Sequence, residues 1–116
     1  MQKKGIDMKI TPLTGPIATY IAAANAQDID AAAANFSEAA VVRDEGQSRQ
    51  GIAAIRQWAV EVSKKYQPAV EALDVAQLDG RTIVTGRVSG AFRGSPIELH
   101  YAFTLNGGRI ERLEIS

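Results

Sequence analysis

Asp44 is the residue whose type and setting point most directly to chemistry. It follows Ala39, Ala40, Val41, Val42 and Arg43, a small and apolar run ending in one cation. A carboxylate beside an apolar space is disfavoured in its charged form. Its pKa then climbs toward the working pH, where it can take a proton and return it. Arg43, Asp44 and Glu45 also read as an ordinary charged strand end, with Asp44 capping the turn before Gly46; both readings stand. Tyr20 comes next. It recurs in an apolar helical stripe, and a buried phenol must find a partner for its O–H. A ligand carbonyl is one such partner and a backbone carbonyl is the other.

Around these two, Phe36, Trp58, Tyr66, Phe92 and Phe103 are candidates to line a pocket, although aromatic residues at helical or alternating spacing also build plain core. His100 alternates away from the apolar face of its strand, and Arg56 and Arg87 read as surface charge. There is no cysteine and a single histidine, so thiolate chemistry is excluded and a histidine metal site is not expected. No phosphate-binding glycine loop or nucleotide fingerprint is present, and the expected chemistry uses no cofactor.

These side chains must be held by one small domain. The chain has 116 residues, 46% of them hydrophobic but only 6% aromatic, so the core must come mainly from Ala, Val, Ile and Leu. Thirteen basic residues balance thirteen acidic ones, which leaves no surplus of Lys and Arg to displace the counterions of a nucleic acid. No apolar run approaches the roughly 18 residues of a membrane span, and the polar start lacks a signal-peptide core, so a cytoplasmic protein is expected. Residues 1–13 read as an N-terminal extension and residues 14–116 as a single domain.

The first half carries helical periodicity. Pro16 suits a first helical turn, and Ile17, Tyr20, Ile21 and Ala24 share one face. Asn25 to Gln27 breaks that pattern. Asp28 can then cap a short second helix with Ile29, Ala32, Ala33 and Phe36 as its stripe. A short strand over residues 39–43 leads into a polar turn over residues 44–51. Ile52, Ile55, Ala59, Val62 and Tyr66 predict a third helix that Pro68 ends.

The second half changes period. Extended runs over residues 70–78, 81–92, 97–105 and 109–115 are separated by hairpin-type turns at Asp79-Gly80, Gly94-Ser95-Pro96 and Asn106-Gly107-Gly108. Alternation puts Ile97, Leu99, Tyr101, Phe103 and Leu105 on one face and Glu98, His100, Ala102 and Thr104 on the other. Gly86, Gly90 and Gly94 predict a strand that bends. The pattern is α+β, with a curved antiparallel meander, helices on one face, and a pocket in the space the helices leave.

The order of elements, with Tyr20 ahead of Asp28-Ile29-Asp30, Phe36 ahead of residues 39–44, the string Gly51-Ile52-Ala53-Ala54-Ile55-Arg56-Gln57-Trp58, and the closing Gly108-Arg109-Ile110, resembles the nuclear transport factor 2-like superfamily. Within it the chain is similar to the SnoaL-like and steroid-isomerase-like small proteins, over nearly everything from Pro16 to Ser116. The resemblance implies a cone-shaped, mixed but mostly antiparallel sheet wrapped around three N-terminal helices, the cystatin-like roll, with an internal pocket. It implies a homodimer through the outer sheet face and a small, mostly apolar ligand or substrate. It puts Asp44 where the isomerases keep their proton-shuttling carboxylate, and Tyr20 where they keep a hydrogen-bond donor to the substrate oxygen. The late-strand position that holds an acid in isomerases and cyclases falls at or near Tyr101, which can donate a hydrogen bond but cannot serve as the cyclases' base. The expectation is therefore a cofactor-free isomerase, cyclase or related proton-transfer enzyme with Asp44, Tyr20 and Tyr101 as catalytic residues. Two other outcomes stand beside it: a non-catalytic dimeric module that binds a small ligand or docks a partner, and a structural dimer with a filled core.

Overall fold

A computed structural model describes Leu13 and residues 15–116. The extension expected over residues 1–13 lies, Leu13 apart, outside the described residues; Leu13 itself packs against the core. Helix α1, Gly15–Asn25, buries Ile17, Tyr20, Ile21 and Ala23. The buried face is thus centred on the expected stripe, with Ala23 more deeply covered than Ala24. Its end is closed by Gln27 in the left-handed region (φ 58°) and by Asp28 N–H donating to the Ala23 carbonyl at 2.9 Å. Asn25, where the periodicity breaks, accepts from Val70 N–H at 2.8 Å and donates to the Val70 carbonyl at 3.0 Å, which ties α1 to the edge of the sheet.

Helix α2, Ile29–Ala33, begins as expected with Asp28 accepting from Ala31 N–H at 3.1 Å. It is shorter than its stripe suggested. Asn35 donates back to the Ala31 and Ala32 carbonyls, and Phe36 opens a strand instead of closing the helix. Strand β1, Phe36–Asp44, is accordingly longer than expected at both ends. The polar stretch after it is a hairpin: Glu45 and Gly46, both at positive φ, turn the chain into β2, Gln47–Gln50, which pairs antiparallel with β1. A strand reading Gln-Ser-Arg-Gln carries no apolar alternation to reveal it. Helix α3, Ile52–Tyr66, buries Ile55 and Trp58 and ends with Gln67 in the left-handed region, just before Pro68.

Strands β3 (Ala69–Leu78), β4 (Arg81–Ser89), β5 (Ile97–Asn106) and β6 (Arg109–Ile115) form the meander. The six-stranded sheet runs β2-β1-β6-β5-β4-β3, and the one parallel pair is β1 with β6. The fold is therefore α+β with a mixed, mostly antiparallel sheet, its inner face covered by the three helices of the described residues. Register shifts near Ala72/Asp74 and Thr104/Leu105, and between Phe36 and Val41, bend the strands. β4 stops at Ser89, short of the expected Phe92, because the chain there is drawn to the end of α3. Ala91 N–H donates to the Tyr66 carbonyl at 2.6 Å, and a Cβ on Gly90 would lie only 2.5 Å from that same oxygen. Phe36, Ala40, Val42, Ile55, Val84, Phe103, Ile110 and Leu113 form the centre of the core between helices and sheet. Among the described residues no helix is long and apolar enough to cross a membrane.

Candidate functional site

Strand period delivers Asp44 to the inner side of the sheet. Along β1, Ala40 and Val42 are fully buried while Val41 and Arg43 turn outward, so Asp44 continues the inward set. At this end of the sheet the helices no longer cover the strands, and a cavity of about 910 Å3 opens. Asp44, Glu45 and Gly46 supply one wall, Val62, Tyr66 and Pro68 another, and Val88, Phe92, Ile97, Leu99 and Ile115 the rest of the inner surface. The cavity continues past the strand ends onto the outer face, where strand parity places Arg43, Arg81, Ile83, His100, Ala102 and Glu114.

The inner face of β5 measures how the cavity closes. Ile97 is 40% exposed, Leu99 is intermediate, Tyr101 is 6% exposed and Phe103 is fully buried. Ile97 and Leu99 therefore stand on the cavity wall, while Tyr101 sits just behind it at the closed end. Its ring stacks on Phe103 at 6.4 Å between centroids. Tyr20 reaches the same region from α1, edge-on to Phe36 at 5.4 Å and to Phe103 at 6.0 Å. Space for the Tyr101 ring comes from Gly86 on β4, where a Cβ would meet Tyr101 Cε1 at 3.3 Å and Val70 Cγ1 at 2.9 Å. Among the described residues neither the Tyr20 nor the Tyr101 hydroxyl has a hydrogen-bond partner, whereas the Tyr66 hydroxyl donates to Glu45 Oε2 at 2.9 Å.

The electrostatics join these groups into one cluster. Burial pushes the Asp44 carboxyl above its usual range, and the neighbouring Glu45 charge adds to the rise. The Trp58 indole, the Glu45 backbone N–H and the Arg49 charge work against it by favouring the carboxylate. Trp58 Nε1–H donates to Asp44 Oδ2 at 3.0 Å. Tyr101 is pushed up to about 12 by burial and then by the Asp44 charge. Tyr20 is raised further still, by burial first and then by Tyr101 and Asp44. Both phenols therefore stay protonated, as donors, across the physiological range, beside a carboxyl whose proton is held more tightly than usual.

Of the residues expected on the wall, Tyr66 and Phe92 are there, in edge-on contact at 5.9 Å. Phe36, Trp58 and Phe103 are not. Phe36 and Phe103 fill the core between the helices and the sheet. Trp58 lies behind the wall on the buried face of α3, where its N–H finds its partner in Asp44. Phe36 also borders a separate recess of about 450 Å3 together with Arg56 and Arg109. Arg56 pairs with Asp30 and Arg87 with Glu71, both at the surface and away from Asp44. His100 reaches only the outer limb of the cavity. Val62, Val88, Leu99 and Ile115 also line the cavity and were not expected there from the sequence. Leu99 and Ile97 share the alternating face of Tyr101, and that alternation was the available signal. The others needed the packing of α3 on the sheet. Among the described residues no group of three or more His, Cys, Asp or Glu side chains is arranged to hold a metal ion.

Comparisons with known proteins agree with this architecture. The family model described as a SnoaL-like domain matches residues 17–113. A provisionally assigned polyketide cyclase from Sinorhizobium meliloti is 37% identical, with 98% of this chain and 100% of that one covered and a TM-score of 0.85. SalBIII, an epoxide hydrolase/cyclase-like enzyme with a role in pyran ring formation in the polyether salinomycin, is 22% identical, covers 86% of this chain and 85% of its own, and superposes with a TM-score of 0.75. A protein of ketosteroid isomerase-like fold from Catenulispora acidiphila, in complex with trimethylamine, is 14% identical with a TM-score of 0.76, over 87% of this chain and 83% of that one. The last two likenesses show the fold alone. No curated protein matches the chain.

Proposed function

Because the chain belongs to the SnoaL-like domain family, we propose that it is an enzyme of the isomerase or cyclase type that moves a proton on a small, mostly apolar carbonyl compound. The observation that carries this reading is a half-buried carboxyl on the cavity wall whose charge is felt by two buried phenols behind that wall, their hydroxyls without a partner among the described residues. Asp44 is the base. Lifted by burial, it removes a proton from the carbon next to the carbonyl and returns it to another atom of the same molecule. Tyr101 and Tyr20 donate toward the oxygen on which negative charge develops. Being fixed in a dry environment, they need little reorganisation as that charge grows. The apolar wall of Val62, Val88, Phe92, Leu99 and Ile115 holds the carbon skeleton. Proton transfer of this kind needs no cofactor.

A panel of β,γ-unsaturated cyclic ketones tests the reading, starting with cyclohex-3-enone and following the absorbance of the conjugated product. Asp44→Asn is expected to lower turnover by roughly 100- to 10,000-fold with the fold intact. Equal rates for the two proteins would overturn the assignment of the base. A second reading, a binding module without turnover, is favoured by the position of both phenols behind the cavity wall. It prevails if the ketones shift the NMR resonances of Leu99 and Ile115 but no member of the panel is converted.

A further inference from the structure

Asp44 has two carboxylate oxygens, and they are not equivalent. Oδ2 accepts the indole N–H of Trp58 at 3.0 Å, while Oδ1 accepts no side-chain hydrogen bond among the described residues. An indole can only donate. The indole makes Oδ2 a poor seat for a proton when Asp44 is protonated, and Oδ1, which meets no side-chain donor, is left to carry it; the other donor the carboxyl meets is the backbone N–H of Glu45. The indole has little freedom to leave. Trp58 is 6% exposed on the buried face of α3, one turn from the almost fully buried Ile55. Asp44 is held from its own side by strand parity, after the fully buried Ala40 and Val42.

We propose that Trp58 is the positioning residue of Asp44: its N–H holds Oδ2, so that Oδ1 is the oxygen that takes the ligand's proton and gives it back. The role rests on the reading of Asp44 as base, and it makes an orienting group of a residue expected from the sequence to touch the ligand. Trp58 also acts on the charge of Asp44. The groups that act on the carboxyl are the charge and backbone N–H of Glu45 and the charge of Arg49 from the β1–β2 hairpin, with Trp58 from α3, and its own charge is felt by Tyr20 on α1 and Tyr101 on β5. Burial and Glu45 oppose the carboxylate, and the indole is the side-chain hydrogen-bond donor that favours it. Without that donor the carboxyl would hold its proton to higher pH, and less of the base form would be present at neutrality.

Trp58 is the only tryptophan in the chain, so one indole resonance reports on the contact. The experiment titrates protein carrying 15N-labelled indole and 13C-labelled aspartate carboxyls. The indole N–H resonance is expected to move with the same midpoint as the Asp44 carboxyl and to stay flat over that range in Asp44→Asn. Trp58→Phe, which keeps an aromatic ring and removes the donor, is expected to shift the Asp44 midpoint upward. On a ketone that is turned over, it should lower kcat about tenfold with KM unchanged and move the acidic limb of the rate profile to higher pH. An indole resonance indifferent to Asp44, or a midpoint unmoved in Trp58→Phe, would overturn the proposal. If Trp58→Phe does not fold, the comparison of the wild-type protein with Asp44→Asn decides alone. The spectroscopic arms need no turnover. A chain that binds the ketones and converts none, but whose indole follows Asp44, therefore overturns the enzyme reading and leaves the contact standing.

Discussion

At the scale of single residues, the site is defined by what burial does to three titratable groups. Tyr101 illustrates the sign. Its phenol ionises at about 12 in the folded chain against 10.0 for an ordinary tyrosine. Below pH 10 both states carry the proton and the shift costs nothing. As pH rises from 10 toward 12 the unfolded chain loses its proton first, so the folded state loses stability across that window. Tyr101→Phe is expected to flatten this alkaline decline in denaturant titrations at pH 9 to 12, with little change at pH 7 because the hydroxyl has no protein partner to lose. An unchanged alkaline limb would show that Tyr101 is not desolvated as described. Asp44 and Tyr20 stood out in the sequence because a carboxyl after an apolar run and a phenol in an apolar stripe are chemically conspicuous. The Trp58–Asp44 bond did not. In the sequence Trp58 was only a candidate for the pocket wall; its partner lies across the β1–β2 hairpin, and the local pattern says nothing of how that hairpin meets α3.

At the scale of elements, the site exists because α3 and the β4–β5 connection meet at the cavity rim. Gly90 permits that approach. A Cβ there would lie 2.5 Å from the backbone carbonyl of Tyr66, and backbone cannot step aside as a flexible side chain can. Gly90→Ala is therefore expected to destabilise the fold by about 2–3 kcal/mol and to loosen Tyr66 and Phe92 on the cavity wall. Gly80→Ala is the control. Nothing lies within 4 Å of its Cβ position, and only its positive φ of 77° resists the change, so about 1 kcal/mol is expected. Equal losses in thermal or denaturant unfolding would show that the close approach is not what Gly90 provides. The sequence marked Gly86, Gly90 and Gly94 as bend points of one strand, but Gly90 and Gly94 lie beyond the end of β4 and Gly86 makes room for Tyr101. The early end of β4 was not readable in advance, because residues 90–92 keep an extended-looking pattern and only contact with α3 draws them out of the sheet. β2 escaped notice for the converse reason: a polar edge strand buries no alternating face, so its pairing with β1 leaves no mark in the hydropathy.

At the scale of the whole molecule, the outer face of the sheet is the surface on which we place a homodimer, as the family resemblance implies. Arg43, Arg81, His100 and Glu114 on that face also border the outer limb of the cavity, so a second copy seated there would cover part of it. Light scattering after gel filtration at micromolar concentration is expected to give twice the chain mass, and a monomer mass would refute the arrangement. The sequence by itself determined the three helices and the four-strand meander, the two faces of β5 and the identity of the conspicuous carboxyl and phenols. Those depend on period, turn chemistry and side-chain type, all of which are local. The tertiary structure alone decided which aromatic residues meet the cavity and which fill the core, that the Trp58 indole donates to Asp44, and that two buried phenols feel its charge. Those relations depend on where a curved sheet is covered by helices and where it is left open, and no single segment carries that information.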